Sequence, residues 1–370
     1  MSEPVHFIGL LRSPVSWAKV GRELVRALVC EGAYVSAVSL KGHLYDEGFP
    51  IPVEVQEAIG RKRRKGWDVA LDYPPNFARL NGDRKAGIVI YEADRLPAHW
   101  VDAMNGYLNL AIVSSRFCLE AATASGVPRG LLRLVPFGVD ADVCRPDGPA
   151  ASPPTGRSFN FLTVGAPHVR KGLREVTEAF CQGFSVRDDV GLVIKCPPIP
   201  QLGRRSWEYK STEDFLPEGR GRQITLLQGS ISEDEMASLY RACDVYVQAS
   251  YGEAFGLAAV EAAGCGKPVI TANWAAAAEI LSRDSAYLVD YDLIDATRIA
   301  YDWQRGGSGP AGQGPPHMAK PRVESLAAAM RSAYEDAALR EGKGKAALEV
   351  ARGLTWEASA RALLQTLAAS

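Results

Sequence analysis

Short, nearly unbroken apolar runs alternate along this chain with stretches whose apolar residues recur at helical spacing. The runs 5–10, 34–40, 87–91, 109–113 and 131–135 make a first set, and 159–164, 190–195, 223–227, 244–248 and 268–271 a second. Continuous apolar character, as opposed to alternation, suits parallel strands covered on both faces. Val20, Leu24 and Leu28 keep helical spacing until Glu31-Gly32 stops them. Leu173, Val176, Thr177 and Phe180 share one helical face, and Ser232 and Glu235 have capping-box spacing ahead of Met236, Leu239, Tyr240 and Cys243. The pattern predicts strand–helix alternation run through twice: an α/β chain of two doubly wound domains.

The alternation breaks between Cys144 and Ser158, where thirteen residues carry four prolines and two glycines. That composition sets the domain boundary. A first domain is expected over 1–150, a second over 157–354, and a closing helix over 355–370. Two such sheets joined by a short hinge are expected to put their strand carboxyl ends, where doubly wound folds bind ligands, on either side of a cleft. The Gly/Pro/Ser-rich stretch 306–316 reads as a mobile loop.

Charge narrows the function. Lys plus Arg number 42 against 43 Asp plus Glu, a net charge of −1, so the cationic excess of a general nucleic-acid binder is missing. Any anion must be gripped by local groups. No apolar stretch approaches a membrane span of ~18–20 residues, and Met1-Ser2-Glu3-Pro4 lacks the features of a secretory signal. The seven cysteines (30, 118, 144, 181, 196, 243 and 265) form no C-x-x-C pair, and Cys30, Cys118 and Cys243 sit in apolar runs. They read as buried small hydrophobes of a protein in the reducing cytoplasm. The five histidines show no metal-ligand spacing, so no metal is expected.

The most informative stretch runs from Ser250 to Ile270, Ser-Tyr-Gly-Glu-Ala-Phe-Gly-Leu-Ala-Ala-Val-Glu-Ala-Ala-Gly-Cys-Gly-Lys-Pro-Val-Ile. A strand ends near Ser250, a helix opens near Gly256, and Gly264 or Gly266 ends it before Pro268. The opening turn offers backbone N–H groups of Gly256 and Leu257 to an anion at the sheet edge. Glu261, one turn further, is a carboxylate able to accept two hydroxyl hydrogen bonds, the grip used on ribose. Glu253, ahead of the helix, would be repelled by a diphosphate, so its partner is a neutral polyol such as a sugar ring. Each glutamate alone reads as ordinary helix-dipole decoration; the strand–loop–helix setting of the pair favours function.

A second constellation, Val164-Gly-Ala-Pro-His-Val-Arg-Lys-Gly172, also joins a strand to a helix. Arg170 and Lys171 stand at an N-terminus whose dipole favours anions. A solvated loop tolerates that conflict, and an anion in the gap turns it into attraction.

These residues resemble the retaining glycosyltransferases of family four, the group 1 glycosyl transferases of GT-B fold. Glu253 and Glu261 match the family's E-x7-E motif, and the flanking segments 242–250 and 265–270 resemble the strands on either side of it. Arg170-Lys171-Gly172 resembles its R-K-G element, Val135-Pro-Phe-Gly-Val-Asp140 its V-P-N-G-V-D loop, and Thr355-Trp356-Glu357 the start of its closing helix, which crosses back to the first domain.

The resemblance implies two Rossmann-like domains facing each other across a cleft. It also implies transfer of a hexosyl group from a nucleotide-diphosphate sugar to an acceptor hydroxyl with retained configuration. By that resemblance Glu261 holds the ribose and Glu253 contacts sugar hydroxyls. Backbone at Phe255, Gly256 and Leu257 meets the sugar-phosphate part, and Lys171, with Arg170 and Gly165 beside it, faces the departing diphosphate. Lysine and helix N-terminus supply the electrostatic stabilisation otherwise given by a cation, so no cofactor or metal is implied. The front-face route and a covalent route through Glu253 both stay open.

The chain departs from the family in two places. Ala166-Pro167-His168 stands where many members carry an Arg, and only Gly9 remains of a glycine-rich first loop, followed by Arg12, Ser13 and Ser16. Acceptor-side candidates are Ser13 and, after the run ending at Tyr91, Glu92 and Asp94. The basic run 61–65 reads as a solvated turn, with peripheral contact to anionic lipid as the alternative. No G-x-S-x-G or Walker A occurs, and the G-x-G-x-x-G of Gly307, Gly309 and Gly312 lacks the strand and helix that would give it meaning. Two rival readings are a GT-B sugar-nucleotide epimerase and a nucleotide-sugar-holding protein without turnover.

Overall fold

In the computed structural model, which describes residues 3–42, 44–198, 209, 211–217, 223–300, 307–310 and 312–370, the chain divides into two units. One comprises Met1–Gly138, Arg305–Pro316 and Leu354–Ser370, the other Val139–Gln304 and His317–Gly353.

The first unit contains β1 (Val5–Gly9), α1 (Ser16–Cys30), β2 (Val35–Ser39), α2 (Val53–Gly60), β3 (Trp67–Leu71), β4 (Arg84–Val89), α3 (Ala98–Tyr107), β5 (Leu110–Val113), α4 (Arg116–Ala124) and β6 (Leu132–Leu134). Among the described residues its strands form one parallel sheet, ordered β2-β1-β3-β4-β5-β6. The order reverses at β1, so the loop after β1 lies at a topological switch point. Phe7, Val69, Ile88 and Ile112 are buried in this sheet, each worth about 1.5–3 kcal/mol relative to exposure.

The second unit contains β7 (Phe159–Val164), α5 (Leu173–Gly183), β8 (Val190–Cys196), β9 (Ile224–Gln228), α6 (Glu233–Ala242), β10 (Val245–Gln248), α7 (Leu257–Gly264), β11 (Val269–Ala272), α8 (Ala275–Ile280), β12 (Ala286–Val289), β13 (Tyr291–Asp295), β14 (His317–Pro321), α9 (Val323–Glu335) and α10 (Ala337–Arg352). Its parallel sheet is ordered β12-β11-β10-β7-β8-β9. The switch point falls between β7 and β10. On one face Phe161, Phe180, Phe184, Leu192, Val247 and Met330 form a continuous core under α5 and α9. The capping box at α6 forms: Ser232 Oγ accepts from the Glu235 amide at 3.2 Å, and Glu235 Oε2 accepts from the Ser232 amide at 2.7 Å.

Several elements depart from the expected pattern. The central strand β3 is missing from the apolar runs because Asp68 interrupts it. That carboxylate is buried, accepting from Arg63 at 2.7 Å and from the Gly82 amide at 2.8 Å. β4 begins three residues early, at Arg84, whose guanidinium lies 4.3 Å from the Trp67 ring centroid and pairs with Glu3. β12 and the antiparallel pair β13–β14 carry too short or too exposed an apolar signal to be anticipated. Cys30, expected buried, is exposed on the last turn of α1, while Cys118 and Cys243 are buried.

The Pro/Gly-rich segment after Cys144 belongs to the second unit. Arg241 of α6 ties it down, donating to the carbonyls of Val143, Arg145 and Pro149 at 3.0, 3.1 and 2.7 Å. The stretch expected as a mobile loop has its described part in the first unit: the Ala98 amide donates to Ser308 O at 2.8 Å, and Gln313 Nε2 donates to Ala124 O at 2.9 Å. Gly306 and Ala311 of that stretch lie outside the described residues. The last helix, α11 (Trp356–Ala368), belongs to the first unit. Ser359 Oγ donates to Pro136 O at 2.7 Å, and Arg361 pairs with Glu31 at 2.6 Å. No helix among the described residues is long and apolar enough to cross a membrane.

Candidate functional site

In the second unit the residues singled out from the sequence gather where β7 and β10 release their chains. After β7, Gly165 donates its amide to Lys195 O at 3.0 Å. The Lys171 stem passes 3.1 Å from where a Gly165 Cβ would stand. Val169–Lys171 form one 3-10 turn, which Gly172 closes at φ +64° before α5 begins. Only glycine serves at 172, since a Cβ there would approach the Ala249 carbonyl to 2.1 Å. The R-K-G element is thereby pressed directly on the end of β10.

That contact brings Lys171 and Glu253 together. Lys171 Nζ donates to Glu253 Oε1 at 2.5 Å, with both side chains largely withdrawn from solvent. Arg170 Nη1 lies 3.4 Å from the same oxygen and donates to the Gly252 carbonyl at 2.8 Å. Burial by itself would push the Glu253 carboxyl up. The charges of Lys171 and Arg170, with hydrogen bonds from Lys171 and Ser250, outweigh burial and hold it down at about 2.

Gly256 is the N-cap of α7 at φ +82°, a left-handed conformation that costs L side chains strain, and no side chain caps the helix. The first amides of the helix, at Leu257 and Ala258, have no intrahelical acceptor. Phe255 is buried beside them, and Leu257 is half-buried. An uncapped helix N-terminus, two cations and a carboxylate thus stand around one switch point. Oxygen-rich anions are the ligands such a constellation holds.

Glu261, one turn into α7, is buried and accepts from the Tyr240 hydroxyl at 3.0 Å. Burial and the Glu261 charge push that phenol well above its ordinary range. Behind the loop, the Tyr251 amide donates to Arg170 O at 2.7 Å, and the Tyr251 hydroxyl donates to Glu175 Oε1 at 2.6 Å. Sequence pattern alone does not single out Tyr240, Ser250, Tyr251 or Glu175 as site residues. Tyr240 follows the apolar spacing of its helix, and Glu175 lies buried in the first turn of α5. Only the fold turns them toward the glutamate loop.

The remaining candidates belong to the first unit. Ser13 follows β1 and is fully buried; its Oγ accepts from the Val15 amide at 3.4 Å and its carbonyl from Arg22 at 2.7 Å. The buried Arg22, over the Phe49 ring at 4.8 Å, braces this loop. Glu92 and Asp94 are half-buried in the turn between β4 and α3. In the basic run, Arg61 pairs with Glu57, Arg63 with Asp68 and Lys65 with Asp83, while Arg64 lies 3.7 Å from the Tyr34 ring centroid. Most of its charge is answered within the unit. Among the described residues no three His, Cys, Asp or Glu side chains cluster as a metal site.

Residues 152–300 match the family described as glycosyl transferases group 1. A D-inositol 3-phosphate glycosyltransferase of an Arthrobacter species is 25% identical over 237 residues, 63% of this chain and 49% of that one. The chain thus spans about half the length of this curated relative. Among solved structures, sucrose-phosphate synthase from Thermosynechococcus elongatus aligns over 100% of both chains with a TM-score of 0.68 at 19% identity. HepE from Anabaena, in complex with UDP and glucose, aligns over 100% of both with a TM-score of 0.67 at 15% identity. The fold is GT-B, built of two Rossmann-like units, as expected from the sequence.

Proposed function

We propose that this protein moves a hexosyl group from a nucleotide-diphosphate sugar to an acceptor hydroxyl, a reading supported by the match of residues 152–300 to the group 1 glycosyl transferases. The observation that carries the reading is the Lys171–Glu253 pair beside the uncapped start of α7. A diphosphate arriving at the Leu257 and Ala258 amides competes with Glu253 for Lys171. Lys171 then exchanges a carboxylate for a phosphate and neutralises the charge that grows as the glycosidic bond breaks. Glu253, released and still ionised, accepts hydrogen bonds from sugar hydroxyls.

Glu261 takes the ribose hydroxyls, with Tyr240 fixing its orientation, and Phe255, Gly256 and Leu257 line the sugar-phosphate part. Retention follows a front-face course in which a leaving phosphate oxygen accepts the acceptor's proton. Lys171, Arg170 and the helix N-terminus do the electrostatic work, so the reaction proceeds without a metal or other cofactor. Glu92 and Asp94 of the first unit are the acceptor-binding candidates; Ser13, with its side chain turned into its own loop, is the weaker one. UDP and glucose in the HepE complex support a nucleotide sugar as the donor class.

The test is release of nucleoside diphosphate from a panel of UDP-, GDP- and ADP-hexoses, with and without EDTA. Release that survives EDTA and leaves an α-linked product from an α-linked donor is the expected result. Binding without release or transfer would leave a nucleotide-sugar-holding protein instead.

A further inference from the structure

One polar side chain at this site has no role in the account above. Along β10, Val245 and Val247 face the core under α5 and α9; strand alternation turns Tyr246 and Gln248 to the opposite face. Gln248 is the last residue of the strand and is 5% exposed. Its Nε2 is buried and has no hydrogen-bond partner among the described residues. That nitrogen lies 3.2 Å from where a Gly256 Cβ would stand, with Ala277 of α8 flanking the same point at 3.4 Å. The register of β10 on β7, Val245 with Phe161 and Tyr246 with Leu162, carries Gln248 to the level of Val164. Gly165 and the loop bearing Lys171 begin one residue beyond.

The carboxamide therefore stands at the switch point, between the lysine loop and the N-terminus of α7. A buried amide without an acceptor carries a desolvation cost that an aliphatic side chain of similar size would avoid. Packing alone gives no reason for glutamine here. We propose that Gln248 is a donor-reading residue: its Nε2 donates a hydrogen bond to an oxygen of the nucleotide sugar held at the start of α7. This rests on the donor-site reading of the preceding section. The acceptor oxygen belongs either to the diphosphate or to a sugar hydroxyl.

The experiment compares the full-length wild type, Gln248→Leu and Gln248→Glu by calorimetric titration with UDP, GDP and ADP and with their glucose conjugates, alongside thermal melts without ligand. The wild type is expected to bind at least one of these. Gln248→Leu is expected to bind it about tenfold more weakly while melting no lower than the wild type. Gln248→Glu separates the two oxygens: a loss well beyond that of leucine marks a phosphate, and affinity near the wild type marks a hydroxyl that a carboxylate accepts from. If the wild type binds and leucine leaves Kd unchanged, the assignment of Gln248 is overturned and the donor site stands. If the wild type binds none of the ligands, the donor-site reading falls and the assignment with it. A leucine variant that melts several degrees lower with unchanged Kd would make the side chain purely structural.

Discussion

Lys171 Nζ and Glu253 Oε1, from loops 82 residues apart in sequence, meet at 2.5 Å. Neither residue reaches the other through its own element. The pairing exists because Gly172 lets the end of the β7 loop rest on Ala249, one residue past β10. The two side chains given separate roles by the sequence thus neutralise each other.

Replacing Lys171 with Met should abolish most turnover. On the proposed mechanism the variant loses the charge that meets the leaving diphosphate, a contribution of about 3–4 kcal/mol for a well-placed electrostatic group. Nucleoside diphosphate release should fall at least a hundredfold, with far-UV circular dichroism unchanged. Undiminished release would exclude the lysine from the reaction.

Glu253→Gln should change how stability depends on pH. The folded carboxyl is held at about 2, below the ordinary carboxylate value, by Lys171 and Arg170 against the opposing effect of burial. A carboxyl depressed on folding contributes stability that is complete above about pH 4.5 and is lost as pH falls through about 2; the full contribution is on the order of 3 kcal/mol. Urea unfolding should therefore show wild type and variant furthest apart near pH 7 and converging between pH 4 and 2. A constant difference across that range would contradict the ion pair.

Glu261→Ala should weaken nucleotide binding. Loss of charge-assisted hydrogen bonds to two hydroxyls costs about 1.5–3 kcal/mol each before compensation, so Kd should rise by ten- to a hundredfold or more in calorimetry. The variant also strands the buried Tyr240 hydroxyl, and its unfolding midpoint should fall. Equal affinities for variant and wild type would remove Glu261 from the ribose.

Gly172→Ala tests the junction itself. A Cβ at 2.1 Å from a backbone oxygen, on a residue at φ +64°, forces the β7 loop away from β10. Stability should drop by more than about 1 kcal/mol, and nucleotide affinity should drop with it because Lys171 and Glu253 separate. Retention of both properties would show that the loop relaxes without cost.

Much of the fold was legible because parallel strands covered on both faces carry nearly continuous apolar sequence, as in Phe159–Val164 and Val190–Cys196. Where that rule lapses, so does the reading. Asp68 hid β3 because its charge is answered by Arg63 and Gly82, neither visible as a partner beforehand. The Pro/Gly-rich composition after Cys144 gave no sign that Arg241 holds the segment against α6. Cys30 lies in an apolar run, yet its place on the last turn of α1 turns it to solvent.

By itself, the sequence determined the alternation of strands and helices, the glycine that opens α7, and the residue types able to grip phosphate and hydroxyls. Periodicity and local backbone chemistry are properties of neighbours in the chain. Tertiary structure alone decided that Lys171 and Glu253 form an ion pair, that Glu261 leans on Tyr240, and that Gln248 Nε2 stands without a partner among the described residues. Hydrogen bonds and ion pairs between distant segments depend on how two strands lie side by side, and a linear pattern carries no measure of that distance.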